Sequence, residues 1–412
     1  MTDDEVIHSF PWRSDNQCEL LYDGTRFLPH MLEQIRAAQH SIDIELYIVE
    51  SGDLLDRWLP ILIDKARSVP VRLLIDSVGS EELRKADLRR INDSDIALRV
   101  FNTPQWPSGL RNLIRDHRKV IVIDNQLAYV GGMGITDDCD PESSGDSAWL
   151  DAMVAMRGPV VEDWKILFEQ SWQLAETTLG NSVRWRLRGK RKRLPVTARR
   201  AAMARVNATR GGQHNALLFH LSYRISRAKK RVWLNTPYFF PPRRLVAALR
   251  NAARRGVQVE ICTAGPITDH PSFRFAGQHY YRLLLQHDVR IYEFQPRFAH
   301  LKAAIIDDWT TVGSCNYDRW NNHWNLDANV EIYDQAFRAQ LETLREEILA
   351  GSKEITLQSW QARDWPTRIK QTFWFWFGTR LFNFLRFLRI RRWNTQTRQH
   401  HQGGHGRDER RP

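Results

Sequence analysis

Cysteine is scarce, with only Cys18, Cys139, Cys262 and Cys315 in 412 residues. None stands close enough to another for a zinc site or a redox pair, and nothing suggests a disulfide framework, so a reducing compartment fits best. Long apolar runs are lacking as well. The N-terminal MTDDEVIHSFPW is acidic and too poor in apolar residues for a signal peptide or a spanning helix, so this end is expected to be neither exported nor anchored, with the catalytic parts facing the cytoplasm. Acidic residues are missing from 183–210, which holds 11 Arg or Lys, and nearly missing from 365–412, which holds 11 basic and 2 acidic residues. These stretches carry +11 and +9 of a total of +12, which leaves the rest of the chain at −8. Acidic globular parts with local basic segments are unlike a protein whose whole face tracks a phosphodiester backbone, and nucleic acid is not an expected partner.

At about two to three times the length of a typical domain, the chain has room for two hydrophobic cores. Self-comparison shows two similar halves. The first has AAQHSIDIELYIV followed by LLDRWLPILIDKARSVPVRLLIDSVGS, and the second SRAKKRVWLNTPYFF followed by RRLVAALRNAARRGVQVEICTAG. Apolar residues recur every three or four positions in 54–66 and 245–253, whereas 71–75 and 257–261 are short apolar runs bounded by turn residues, which is strand, helix, strand patterning. Each half then continues with a helix, a strand (96–101 and 289–294) and a hairpin of two buried strands (117–132 and 300–314). The chain therefore divides into an N-terminal half, 1–182, a basic linker, 183–212, a C-terminal half, 213–361, and a tail, 362–412. The linker is too charged to build a core and is expected to be exposed, with some helix.

The tail differs in kind. In WPTRIKQTFWFWFGTRLFNFLRFLRIRRW aromatics and leucines stand between arginines. A spanning helix would hold Arg380, Arg386 and Arg389 at mid-depth, whereas arginines can snorkel from a helix lying among lipid head groups. We read an anchor in the membrane interface, the alternative being a helix that docks back on the protein or mediates self-association. Residues 394–412 are poor in apolar side chains and are expected to be disordered.

The chemistry sits in RDHRKVIVIDNQLAYVGGMGI and AHLKAAIIDDWTTVGSCNYD. Both contain His-x-Lys, four residues and Asp: His117, Lys119, Asp124 and His300, Lys302, Asp307. On a strand, residues two apart share a face, so each histidine and its lysine point one way. An imidazole beside a fixed ammonium suits a phosphodiester, because the lysine neutralises non-bridging oxygens while the histidine attacks or moves a proton. It does not suit a metal, and no cofactor is implied. Asp124 and Asp307 complete the motif, but at seven residues past their histidines they face away, at the hairpin turn, as structural supports. The chain returns as GGMG or GSCN, where small residues let backbone amides and the Ser314 and Asn316 side chains approach a phosphate. Each histidine also needs an orienting carboxylate, for which Asp151 and Asp327 are the candidates.

With its paired H-x-K-x4-D motifs and a following G-S-x-N, the chain resembles the phospholipase D superfamily, and within it bacterial cardiolipin synthases of the B type, which lack N-terminal spanning helices. The resemblance runs from Leu21 to about Glu347 and includes LYDGTRFLPHMLEQIRAAQHSIDIELYI, MRGPVVEDW, LNTPYFFP and TVGSCNYD. It implies an α/β fold of two fused α/β/α sandwich halves related by a pseudo-twofold, with the active site at their interface. It also implies a peripheral enzyme at an anionic phospholipid membrane, which joins two phosphatidylglycerol molecules into cardiolipin through a metal-free phosphohistidine, His117 attacking and His300 moving the proton. A lipid hydrolase, a transferase with another acceptor, a nuclease of the superfamily and a non-catalytic scaffold are the competing readings. Three departures stand out. Gly134 replaces a common Asn, the second hairpin is one residue shorter than the first, and Asp327 stands where relatives often carry Glu. The oligomeric state is not legible.

Overall fold

The computed structural model describes residues 10–176, 202–209 and 216–402; most of the basic linker and the chain beyond Gln402 lie outside the described residues. Its strands are β1 (Arg13–Tyr22), β2 (Ile42–Leu46), β3 (Val71–Asp76), β4 (Ala97–Phe101), β5 (Arg115–Asp116), β6 (Val120–Ile123), β7 (Leu127–Gly131) and β8 (Ala152–Arg157) in the first half. The strand β9 (Ala202–Ala208) follows, and then β10 (Arg231–Asn235), β11 (Gln258–Ala264), β12 (Arg290–Phe294), β13 (Ala303–Ile306), β14 (Trp309–Gly313), β15 (Asn325–Leu326), β16 (Ala328–Tyr333) and β17 (Ser352–Ile355). Fifteen of these form one sheet in the order β17-β12-β11-β10-β13-β14-β16-β9-β1-β8-β7-β6-β2-β3-β4. The order reads the same outward from the β9 and β1 pair, with β17 added at one edge. A pseudo-twofold thus passes between β9 and β1.

Period-two alternation decides which core each side chain joins. Val120 and Val122 of β6 face one side of the sheet, together with Val154 of β8, Val312 of β14 and Val330 of β16. Helix Val160–Glu176 of the first half and helix Gln335–Ala350 of the second cover them with Trp164, Leu167, Phe337 and Leu341. Ile121 and Ile123 face the other side, under Phe27, Met31, Trp58 and Leu62 of helices Gly24–Ala37 and Asp53–Ala66. The second half repeats this with Ala304 and Ile306 under helices Ala216–Arg227 and Arg243–Arg254. One face of the sheet is therefore a core shared by both halves, and the other carries a separate core for each.

Three expectations need correction. First, the end of the linker is not exposed: β9 pairs with both β1 and β16 at the centre of the sheet. Its Arg205 is buried against Glu331, Nε to Oε2 2.8 Å, with Asn207 donating to Glu331 Oε1 at 2.6 Å. A charged residue entered the core because a buried carboxylate met it there. Second, His117 to Lys119 and His300 to Lys302 lie just before β6 and β13, not inside them. Third, helix Trp365–Gln402 continues through the first residues of the stretch expected to be disordered.

The one-residue difference between the hairpins is absorbed at their turns. Ile123 pairs with Leu127 across three residues, and Ile306 pairs with Trp309 across two. Asp124 and Asp307 open these turns at φ 55 and 54, a conformation that aspartate tolerates better than most side chains. Each carboxylate accepts three backbone N–H groups: Asp124 from Gln39, His40 and Ser41, Asp307 from Lys229, Lys230 and Arg231. Burial alone would raise both carboxyls, but these N–H groups hold them below the ordinary carboxylate range. A depressed folded value means stability that is present above the unfolded carboxylate range and lost as pH falls through the folded one. Asp307→Ala is accordingly expected to cost about 2 kcal/mol in urea unfolding at pH 7, and the gap to wild type to close as pH drops below about 4.

Candidate active site

Each half delivers a histidine to the junction by the same device. The short strands β5 and β15 run parallel, Arg115 beside Asn325 and Asp116 beside Leu326, and the His117 N–H donates to the Leu326 carbonyl at 2.9 Å. On the symmetric side Leu150 bridges Ala299, and the His300 N–H donates to the Leu150 carbonyl at 2.8 Å. The residue after each of these leucines in its own half opens the way to a carboxylate. Asp327 therefore lies beside His117 and Asp151 beside His300, each serving the opposite half.

The contacts are His117 Nδ1 to Asp327 Oδ1, 2.8 Å, and His300 Nδ1 to Asp151 Oδ2, 2.6 Å. Both carboxylates are fully buried. An acceptor oxygen on Nδ1 selects the tautomer with the proton there, leaving an Nε2 lone pair on each ring. Asp327, with one methylene fewer than Glu, reaches its imidazole without loss of contact. Lys119 Nζ donates to the His117 carbonyl at 2.9 Å, and Lys302 Nζ lies 2.6 Å from the His300 carbonyl and 2.7 Å from His300 Nε2. Among the described residues no hydrogen bond reaches His117 Nε2.

Burial pushes His117 down to about 3 and His300 to about 4, each helped by its neighbouring lysine, so both rings are neutral at neutral pH. Burial also lowers Lys119 to about 7 and Lys302 to about 8, with the charge of Lys302 adding to the shift of Lys119. Burial would raise Asp151, but His300 and Lys302 hold it below its ordinary value. Two desolvated ammonium groups in one cleft form a site that an anion relieves.

Around this centre the halves differ. Ser314 Oγ donates to Asp327 Oδ1 at 3.0 Å and accepts from Ala328 N at 3.1 Å, so it steadies the carboxylate. Its counterpart is Gly132, where a Cβ would stand 2.3 Å from the Asp151 oxygens. Gly134, the counterpart of Asn316, has no room either, since a Cβ there would meet Ile48 Cβ at 2.8 Å. Asn316 is buried, and among the described residues its Oδ1 has no hydrogen-bond partner. Asp124 and Asp307 remain at their turns, outside the site.

Several neighbours escaped the sequence reading. Tyr47 lies edge-on to His117 at 4.9 Å, with Lys119 Nζ 5.1 Å from its centroid, and Trp149 lies 4.8 Å from His300. Arg118, between the motif residues, is buried and donates to Ser171 at 2.6 Å and to the Thr209 carbonyl at 2.7 Å, tying the first motif to its helix and to β9. The alternation of β2 hinted at Tyr47, and the two-residue spacing from Asp151 at Trp149; neither is a signal on its own.

Two carboxylate-backed imidazoles with a lysine each, at the junction of two copies of one α/β fold, define the phospholipase D class of proteins. Residues 31–143 and 221–349 match the family described as "Cardiolipin synthase, PLD-like domain", and the chain belongs to that family. It is similar to cardiolipin synthase B of Salmonella typhi, 32% identical over 89% of this chain and 88% of that protein. It is also similar to a minor cardiolipin synthase of Bacillus subtilis, 30% identical over 90% of each chain. Among solved structures the fold resembles phosphatidylserine synthase of Haemophilus influenzae, with a TM-score of 0.72 and 16% identity over 92% of this chain and 97% of that one.

Because burial brings the two lysines down to about 7 and about 8, anion affinity is expected to fall as pH rises. Sulfate, whose charge is constant over this range, should raise the melting temperature most below pH 7 and progressively less up to about pH 9. Differential scanning fluorimetry should show the effect abolished when Lys119 and Lys302 are both replaced by Met.

Proposed function

We propose that this protein is a cardiolipin synthase that transfers a phosphatidyl group from one phosphatidylglycerol to a hydroxyl of a second, releasing glycerol. The observation that carries this reading is the crossed pair of Nδ1-bonded imidazoles above two buried ammonium groups. The names of its relatives supply the lipid.

His117 is the nucleophile, because its Nε2 lone pair receives no hydrogen bond while that of His300 faces Lys302. Nε2 attacks phosphorus, a P–N bond forms, and the P–O bond to the departing glycerol breaks. The glycerol oxygen takes a proton through His300 Nε2, which Lys302 Nζ at 2.7 Å replenishes. A phosphodiester held by Lys119 and Lys302 offsets the charge that depresses His300 and lets it carry that proton. In the second step the acceptor hydroxyl gives its proton back to His300, its oxygen attacks phosphorus, and the P–N bond breaks. Asp327 and Asp151 keep both rings oriented and stabilise the charge that appears on them.

The halves 1–182 and 213–361 act as one catalytic unit, and the tail 362–412 brings it to its substrate. Among the described residues no helix is long and apolar enough to cross a membrane. Helix Trp365–Gln402 instead has two faces. One docks on the second half: Gln371 donates to Gln278 Oε1 at 2.9 Å, Phe375 stacks on His279 at 3.6 Å, and Phe382 meets His323 at 4.9 Å. The other exposes Trp365, Ile369, Phe373, Trp376, Phe377, Leu381 and Phe384 at three- and four-residue spacing, with Arg368, Lys370 and Arg380 also exposed. An aromatic stripe among cations fits the surface of an anionic bilayer, where each basic residue adds about 1 kcal/mol.

Incubated with phosphatidylglycerol liposomes and a chelator, the protein is expected to yield cardiolipin and glycerol in equal amounts. Phosphatidic acid as the sole lipid product would make it a hydrolase. His117→Ala and His300→Ala should each lower turnover by roughly 10³-fold or more, and a covalent phosphoryl adduct trapped in His117→Ala would reverse the assignment of the two histidines. Phe373→Glu with Trp376→Glu changes only the exposed face of the terminal helix, and is expected to abolish co-sedimentation with anionic liposomes while leaving the melting temperature unchanged.

A further inference from the structure

The pseudo-twofold that relates the histidines fails beside them. Superposing motif on motif places Trp149 opposite Asn325, Phe298 opposite Arg115 and Tyr238 opposite Ile48. His117 has a polar surround with one aromatic ring, whereas His300 is walled by several. The Trp149 ring lies 4.8 Å and the Phe298 ring 5.5 Å from the imidazole, and the two meet edge to face at 5.2 Å. Tyr238 continues the wall 6.2 Å beyond Phe298, and Phe273 stands 5.5 Å from Tyr238. These rings form a small apolar cluster separate from the three main cores, with Trp149 and Phe273 only partly buried. A folding role alone would favour complete burial.

Two carboxylates edge the cluster. The Tyr238 hydroxyl donates to the Asp269 carboxylate, and the backbone N–H of Trp149 donates to the backbone carbonyl of Asp138 at 2.7 Å, which holds Asp138 beside the cluster. Both aspartates are solvent-accessible, and Asp269 is close enough to act on Lys302 and on Asp138. Ring faces with carboxylate acceptors at the margin bind a neutral polyol, whose C–H faces lie on the rings and whose hydroxyls donate outward.

We propose that Trp149, Phe298 and Tyr238, with Asp138 and Asp269, form the alcohol subsite, which holds the glycerol end of the departing head group and then that of the acceptor. This rests on the transfer reaction proposed above, in which both alcohols exchange a proton with His300 and so occupy its side of the phosphorus in turn. Trp149 and Asp269 then determine how the phosphorylated intermediate divides between a lipid alcohol and water.

The test is the product ratio with phosphatidylglycerol liposomes to which deuterated glycerol and ethanol are added at equal concentration. In Trp149→Ala and in Asp269→Asn the ratio of cardiolipin to phosphatidic acid is expected to fall at least tenfold. The preference for labelled phosphatidylglycerol over phosphatidylethanol should fall with it, and Trp149→Phe should restore both. A merely structural role would lower total turnover and leave these ratios where they are, and unchanged ratios in both variants overturn the proposal. Asp269 is a solvent-accessible side chain, so that variant carries the test if Trp149→Ala does not fold. A wild-type protein that makes only phosphatidic acid defeats the transfer reading itself, and does so before any variant is compared.

Discussion

The crossed hydrogen bonds between His117 and Asp327 and between His300 and Asp151 are the constraint on which the rest of the molecule depends. Each carboxylate is wholly buried, and each finds its imidazole in the other half. A buried carboxylate that loses its partner costs several kcal/mol, so neither half can satisfy its own polar groups alone. The shared core works to the same end. Valines of both halves lie on one face of a continuous sheet, beneath one helix from each. Interface, core and catalytic centre are a single structure, and the short bridges at Leu326 and Leu150 fix the histidine backbones within it.

Duplication alone would have produced two equivalent imidazoles. Equivalence is broken by small differences close to the rings. Ser314 adds a hydrogen bond to one carboxylate, where Gly132 leaves room only for the other. Lys302 reaches Nε2 of its own histidine, and no comparable bond reaches His117. Such differences leave the two rings in unlike surroundings although both begin neutral. The aromatic wall beside His300 adds a further difference, since Trp149 and Phe298 lie against one imidazole and Tyr47 against the other.

The terminal helix presents two unlike faces. Its Gln371, Phe375 and Phe382 pack on the second half, while the opposite stripe remains uncovered. A helix of apolar character on most sides needs two apolar environments, and the protein provides one of them. Rigid docking also means that whatever the stripe meets is held at a fixed angle to the cleft.

Much of the fold was legible because it rests on local periodicity. Alternation in VIVI and three- to four-residue recurrence in LLDRWLPILIDKA are properties of a few adjacent residues, and burial follows from them directly. The paired His-x-Lys segments and the two candidate aspartates were legible for the same reason, as short patterns repeated in equivalent places. The basic character of 183–212 misled, because Arg205 is balanced by Glu331, 126 residues away, and no window centred on the linker contains that partner. The motif aspartates were legible as turn residues by their offset, but the amides they bind belong to a loop some eighty residues earlier. What the sequence by itself determined was the duplication, the repeated strand and helix pattern of the two halves and the reactive groups. Only the tertiary structure decided which carboxylate serves which imidazole, because those contacts join residues 210 and 149 positions apart and exist only once the two halves share one sheet.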